Sequence, residues 1–219
     1  MKITLPPRLH GNRLEVDTEN SQNIVIIGAN GSGKTRFASR LAADLGPQAF
    51  RMSALKALYE RGREDGTEGS IDSLYHQATR GASIMRTDLA GEFERMIGLM
   101  LNEEMLSLID YKFRRVTDRL PSTRLERVIK VMRESGRMLF MRDASEDAYS
   151  PSKLSDGEKA VMYYLGAVTC APRGSIVFVD SPGMFLHPSS IRSVWDTVEH
   201  SRPDCTFVYV THDLQFATT

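Results

Sequence analysis

Residues 28–35 read Gly-Ala-Asn-Gly-Ser-Gly-Lys-Thr and follow directly on the β-branched run Val25-Ile26-Ile27. No other feature restricts the fold as much. A continuous apolar run of this kind predicts a strand, Asn23–Ile27, covered on both faces as in a parallel sheet. The glycines let the backbone turn tightly and aim several N–H groups at one anion, at the positive end of the following helix. The spacing is the full phosphate-loop pattern, Gly-x-x-x-x-Gly-Lys-Thr. At ordinary glycine usage, a chance match in a chain this long is on the order of one per cent. Asn30, Gly31, Ser32, Gly33, Lys34 and Thr35 are therefore the candidate phosphate contacts. Lys34 would reach the β- and γ-phosphates of a nucleotide such as ATP, and the Thr35 hydroxyl would ligate Mg²⁺.

Strand and helix patterns then alternate. Phe37, Ala38, Leu41 and Leu45 form one helical stripe, stopped by Gly46-Pro47. Residues 48–53 read as a strand, and the polar, glycine-containing stretch 60–70 as a loop. Phe93, Met96, Ile97, Met100 and Leu101 fall at helical spacing, in a pattern that runs to Phe113 before Pro121 breaks it. Thr123-x-x-Glu126 opens a second helix as a capping box, with Leu125, Val128, Ile129 and Met132 on one face. Residues 137–141 read as a short strand. The last third predicts a helix from Gly157 to Cys170, a strand Ser175–Asp180, a helix Pro188–His200 and a strand Thr206–Thr211. Short extended pieces at 2–5 and 13–17 precede all of these. The expected fold is α/β: a P-loop NTPase with a mostly parallel sheet, a short N-terminal β segment and an inserted helical subdomain. Residues 1–53 and 150–219 would form the nucleotide-binding core, and 54–149 the helical insert.

Composition narrows the class. At 219 residues the chain is too short for two full-size domains with linkers. With 41% hydrophobic and 26% charged residues it is neither disordered nor a coiled-coil rod. The longest nearly uncharged apolar stretch, Ala160–Ala171, falls short of the roughly 20 residues a membrane span needs. The first sixteen residues hold no apolar run of signal-peptide length. A cytoplasmic protein with no membrane partner is expected. Cys170 and Cys205 each lie in an apolar segment and read as buried free thiols. Twenty-eight basic residues balance twenty-eight acidic ones, yet residues 112–142 carry ten Lys/Arg against three acids, a local net of +7. Two readings of that stretch stand. It is a solvated helix face with intrachain pairs, or a surface for phosphates of DNA or of a nucleotide on a partner subunit.

Three later segments extend the phosphate-loop reading. Ser175–Asp180 is an apolar strand ending in an acid, the expected second Mg²⁺ support. Leu154-Ser155-Asp156-Gly157-Glu158-Lys159 precedes it, with Gly157 standing 23 residues before Asp180. Thr211-His212 follows a further strand, with His212 standing 32 residues after Asp180. This ordered set resembles the ABC-type ATPases: phosphate loop, LSGGQ-like signature, Walker B strand, switch histidine. The resemblance spans nearly the whole chain. Leu186-His187-Pro188 makes it most similar to the soluble chromosome-maintenance, DNA-repair and anti-phage members, including the overcoming-lysogenization-defect type. The resemblance implies that Ser155 and Gly157 contact the γ-phosphate of ATP on the other subunit of a head-to-tail homodimer. It implies that His212 contacts the γ-phosphate in cis, and that an effector acts downstream, either as a nuclease partner or as a further C-terminal domain. For the family's Mg²⁺-contacting glutamine, Gln48 and Gln77 are both candidates.

One departure concerns catalysis. The family carries Glu directly after the Walker B aspartate, where this chain reads Asp180-Ser181-Pro182. A serine hydroxyl cannot accept a proton near neutral pH, so Ser181 is a poor general base. Binding is not threatened by this, but hydrolysis is. Glu158, Asp213 and His212 are the remaining candidates for that role. Three functions stay open on sequence: a slow ATPase, a non-hydrolysing ATP-dependent binding switch, and a small-substrate kinase.

Overall fold

A computed structural model of the chain describes residues 2–5, 15–17, 23–54, 92–114, 122–134 and 154–218. The predicted loop at 60–70, the strand at 137–141 and Gln77 lie outside the described residues.

Lys2–Thr4 (β1) pairs antiparallel with Glu15–Asp17 (β2) as the short N-terminal β segment. The main sheet is built of Asn23–Ile27 (β3), Ala49–Met52 (β4), Ile176–Asp180 (β5) and Thr206–Thr211 (β6). Its four described strands are parallel and run in the order β3-β6-β5-β4. Lys34–Leu45 (α1) links β3 to β4. The other described helices are Glu92–Arg114 (α2), Arg124–Glu134 (α3), Asp156–Cys170 (α4), Pro188–Ser201 (α5) and Leu214–Thr218 (α6).

The pleat divides each inner strand between two cores. Val177, Val179, Phe207 and Tyr209 face the larger one, together with α2, α3, α4 and α5. Ile176, Phe178, Val208 and Val210 face the smaller one, against α1 and Ile3. Every residue of β5 is buried, as a strand covered on both faces should be. The same expectation fails for β3. It is one of the two edge strands of the described sheet, and Val25 and Ile27 are 38% and 41% exposed, whereas β4 at the other edge is buried throughout. A β-branched run reports strand formation; the elements that cover the strand decide its burial.

The larger core centres on α4, which buries ten of its residues and has no polar face. Its Gly166 lies so close to Met96 on α2 that a Cβ would sit 2.7 Å from the thioether. Tyr163 ties three elements together: its hydroxyl accepts the Ser53 N–H beside β4 at 3.3 Å and donates to Glu92 on α2 at 3.0 Å. Burial and the nearby Glu92 carboxylate push the Tyr163 pKa well up. Thr123 caps α3 by accepting the Glu126 N–H at 3.2 Å, while its hydroxyl hydrogen goes to Glu104 on α2.

Arg202 closes the far end of the fold. Its guanidinium donates to the carbonyls of Val168, Ala171 and Pro172, at 2.6, 2.8 and 3.0 Å, which satisfies the C-terminus of α4. The same group forks onto Asp204 at 2.8 and 2.9 Å and holds that carboxyl well below the usual carboxylate range. Because the folded pKa of Asp204 is depressed, its contribution is present above the ordinary carboxylate value and is lost as pH falls below it. Arg202→Met should lower unfolding free energy by about 2–4 kcal/mol. Urea denaturation of the two proteins at pH 7 measures the loss, which should shrink towards pH 3.

Candidate functional site

The loop after β3 is shaped by backbone conformations that favour glycine. Gly31 and Gly33 have φ of 81° and 87°, and Gly33 is the N-cap of α1. Ser32 N–H donates to the Ala29 carbonyl at 3.2 Å, and the Lys34 ammonium reaches the same oxygen at 2.8 Å. The first turn of α1 holds Lys34 and Arg36 and no acid. Cations there oppose the helix dipole. An unfavourable local choice of this kind is what a bound polyanion would reverse.

The opposite wall comes from the other strands. Since β6 lies between β3 and β5, the carboxyl ends of all three converge, the usual ligand crevice of an open parallel sheet. A cleft of about 700 Å³ lies there, lined by Asn30, Gly31, Gly33, Lys34, Thr35, Arg36, Ser39, Asp180, Ser181, Val210, Thr211 and His212. Asp180 is 6% exposed. Beneath it the buried Tyr164 hydroxyl has its pKa raised by burial and then by the Asp180 charge. Tyr164 packs at a tilt against Trp195, whose indole N–H donates to the Pro182 carbonyl at 3.0 Å and braces the loop that leaves β5.

Ser181 takes a left-handed conformation, φ 54°, with its N–H bonded to the Val210 carbonyl at 2.9 Å. Its hydroxyl lies 3.5 Å from an Asp180 oxygen. Phe185, in the same loop, is also left-handed at φ 64°.

The structure brings Asn30, Gly31, Gly33, Lys34, Thr35, Asp180, Ser181 and His212 to one cleft; Ser32, Ser155 and Gly157 do not line it. Ser155 forms the N-cap of α4 in a reciprocal box with Glu158: Ser155 N–H donates to that carboxylate at 2.8 Å, and Glu158 N–H returns to the serine oxygen at 3.3 Å. Gly157 lies against the Phe185 carbonyl, which a Cβ would approach to 3.0 Å. Gln48 sits exposed in the turn Gly46–Gln48, away from the cleft. The Asp213 carboxylate accepts the Gln215 N–H at 2.8 Å and opens α6. His187 caps α5 by accepting the Ser189 N–H at its Nδ1.

Sequence reasoning missed Arg36, Ser39, Val210 and Thr211 as cleft residues. Ser39 stands one helical turn beyond Thr35, a spacing that puts both on one face of α1. In the basic stretch, Arg124 pairs with Glu103 at 3.4 Å, Arg127 bonds the Ser122 carbonyl, and Lys130 lies 3.9 Å from Glu134. These three basic residues of the described part of the stretch have partners within the chain.

Among the described residues no three His, Cys, Asp or Glu gather as a metal cluster, and no helix is long and apolar enough to cross a membrane. Thr35 and Asp180 would hold Mg²⁺ only in the company of phosphate oxygens, which suits that ion.

No protein-family model matches the chain, and no curated protein does. Similar solved structures include a Pyrococcus furiosus protein provisionally described as an ABC transporter ATP-binding protein. It has 11% identity and a TM-score of 0.46, over 96% of this chain and 88% of that one. Another is Stu0660 of Streptococcus thermophilus, at 11% identity and a TM-score of 0.38, over 96% and 69% of the two chains. At such low likeness neither assigns a function to this chain.

Proposed function

We propose that the cleft binds Mg-ATP, and that the chain is an ABC-type ATP-binding domain whose sites close head to tail between two copies. The observation that carries this reading is the convergence of Gly31, Gly33, Lys34, Thr35, Asp180 and His212 on one crevice. Backbone N–H groups and Lys34 would hold the phosphates. Thr35 and Asp180 would hold the Mg²⁺, which neutralises charge between the β- and γ-phosphates. His212, exposed at the rim, would meet the terminal phosphate. Ser155 and Asp156 at the N-terminus of α4 are exposed and do not line this chain's own cleft, which supports a role for Ser155 and Gly157 on a second copy's nucleotide.

Ser181 favours a second reading of the same site, in which closure is a binding switch and hydrolysis is incidental. Neither reading requires DNA contact by α3.

Sedimentation tests closure. Mg-ATP should raise the sedimentation coefficient, and Gly157→Arg should abolish the rise while calorimetry still shows one nucleotide bound per chain. A wild-type protein that binds Mg-ATP with no hydrodynamic response would remove the head-to-tail arrangement and leave the binding site standing.

A further inference from the structure

Tyr163 and Tyr164 are neighbours on α4 and both are fully buried, yet their hydroxyls differ. The Tyr163 hydroxyl is engaged twice, by the Ser53 N–H and by Glu92. The Tyr164 hydroxyl has no hydrogen-bond partner among the described residues. An orphaned buried O–H is costly, and native structures keep few of them.

The surroundings fix where this hydroxyl can act. Its ring is held between Tyr163 and Trp195, at centroid distances of 5.8 and 4.6 Å. Trp195 is tied in turn to the carbonyl of Pro182, two residues beyond Asp180. Tyr163 bonds Ser53, which follows directly on Met52, and Met52 pairs with Val179, the residue before Asp180. Both neighbours of the Tyr164 ring are therefore anchored at the carboxyl ends of β4 and β5. Asp180 is the charge that acts on the Tyr164 hydroxyl. An O–H dipole near a buried carboxylate, with nothing else to bond, turns its hydrogen towards that charge, and the low dielectric strengthens the attraction. Tyr164 does not line the cleft, so its influence on a ligand there passes through Asp180.

We infer that Tyr164 is a positioning residue for Asp180, its hydroxyl supporting from behind the carboxylate that takes Mg²⁺. This rests on the Mg-ATP reading of the cleft. Groups that support a metal-binding carboxylate in this way typically contribute about 10- to 100-fold in metal affinity. Tyr164→Phe keeps the ring and removes only the hydroxyl. Calorimetric titrations of ATP at several Mg²⁺ concentrations should show that the variant needs about tenfold more Mg²⁺ for the same gain in affinity. Its ATP affinity in EDTA should match wild type, and its melting temperature without nucleotide should be equal or higher, since an unpartnered polar group has gone. Tyr163→Phe should do the reverse. It strands the Ser53 N–H and should melt several degrees lower, with Mg²⁺ dependence unchanged. A wild type whose ATP binding ignores Mg²⁺ overturns the reading of the cleft and this role with it. A Mg²⁺-responsive wild type that Tyr164→Phe leaves unchanged overturns this role alone, as does a Tyr164→Phe protein that loses ATP affinity equally with Mg²⁺ and with EDTA.

Discussion

Lys34→Ala should lower Mg-ATP affinity at least a hundredfold, about 2.7 kcal/mol, without weakening the fold. The side chain makes one hydrogen bond, to the Ala29 carbonyl on its own loop. It also sits as a cation in the first turn of α1 with no acid beside it. Removing it relieves a mismatch with the helix dipole worth roughly 0.3–1 kcal/mol, so the empty variant should melt no lower than wild type. With phosphate bound the sign reverses, since a charge-assisted contact to the anion is lost. Calorimetric titration beside thermal melting separates the two effects. A folded Lys34→Ala protein that binds Mg-ATP with wild-type affinity would sink the phosphate-loop assignment.

Hydrolysis by the unmodified protein should fall well below the roughly 1–10³ s⁻¹ of typical enzymes. General-base catalysis contributes about 10² to 10⁴ in rate, and Ser181 can hold a water without taking its proton. The other carboxylates have work elsewhere: Glu158 closes the box at α4, and Asp213 caps α6. Ser181→Glu should raise phosphate release at least tenfold, while Ser181→Ala should stay within about threefold of wild type. Serine already bears the left-handed penalty at φ 54°, so the glutamate adds little new backbone strain. Fast wild-type turnover would point to His212, the one cleft-lining candidate base free of a capping role. No turnover in either protein would leave the binding switch as the description of this chain.

Local chemistry was legible in advance. Asn23–Ile27 and Thr206–Thr211 form the strands their β-branched and aromatic residues indicate, and α1 stops where Gly46-Pro47 ends its stripe. What escaped depends on residues far apart in the chain. Arg202 finds the carbonyls of Val168 and Ala171 across more than thirty residues. The edge position of β3 follows from strand order, which no local window contains. At Thr123 the capping hydroxyl is there as its spacing suggests, but its hydrogen goes to Glu104 on another helix. The five-residue α6 is too short for periodicity to reveal, and only its Asp213 cap marks it. For the site, the loop and the strand-end acid were readable because each is a contiguous motif. Arg36 and Ser39 were not, because their relevance comes from facing β5 and β6 across the crevice.

The close approach of Gly157 to the Phe185 carbonyl makes one position answer to two sites. The loop from Ser181 to His187 leaves the strand that ends in Asp180, passes under Gly157 and enters α5. A bulky residue in the left-handed region, as Phe185 is, persists only where its surroundings over-determine it. A side chain added at 157 therefore pushes on the loop that follows Asp180. The exposed end of α4 and the cleft thus share one contact, so Gly157→Arg should lower nucleotide affinity as it blocks closure, while one nucleotide per chain still binds.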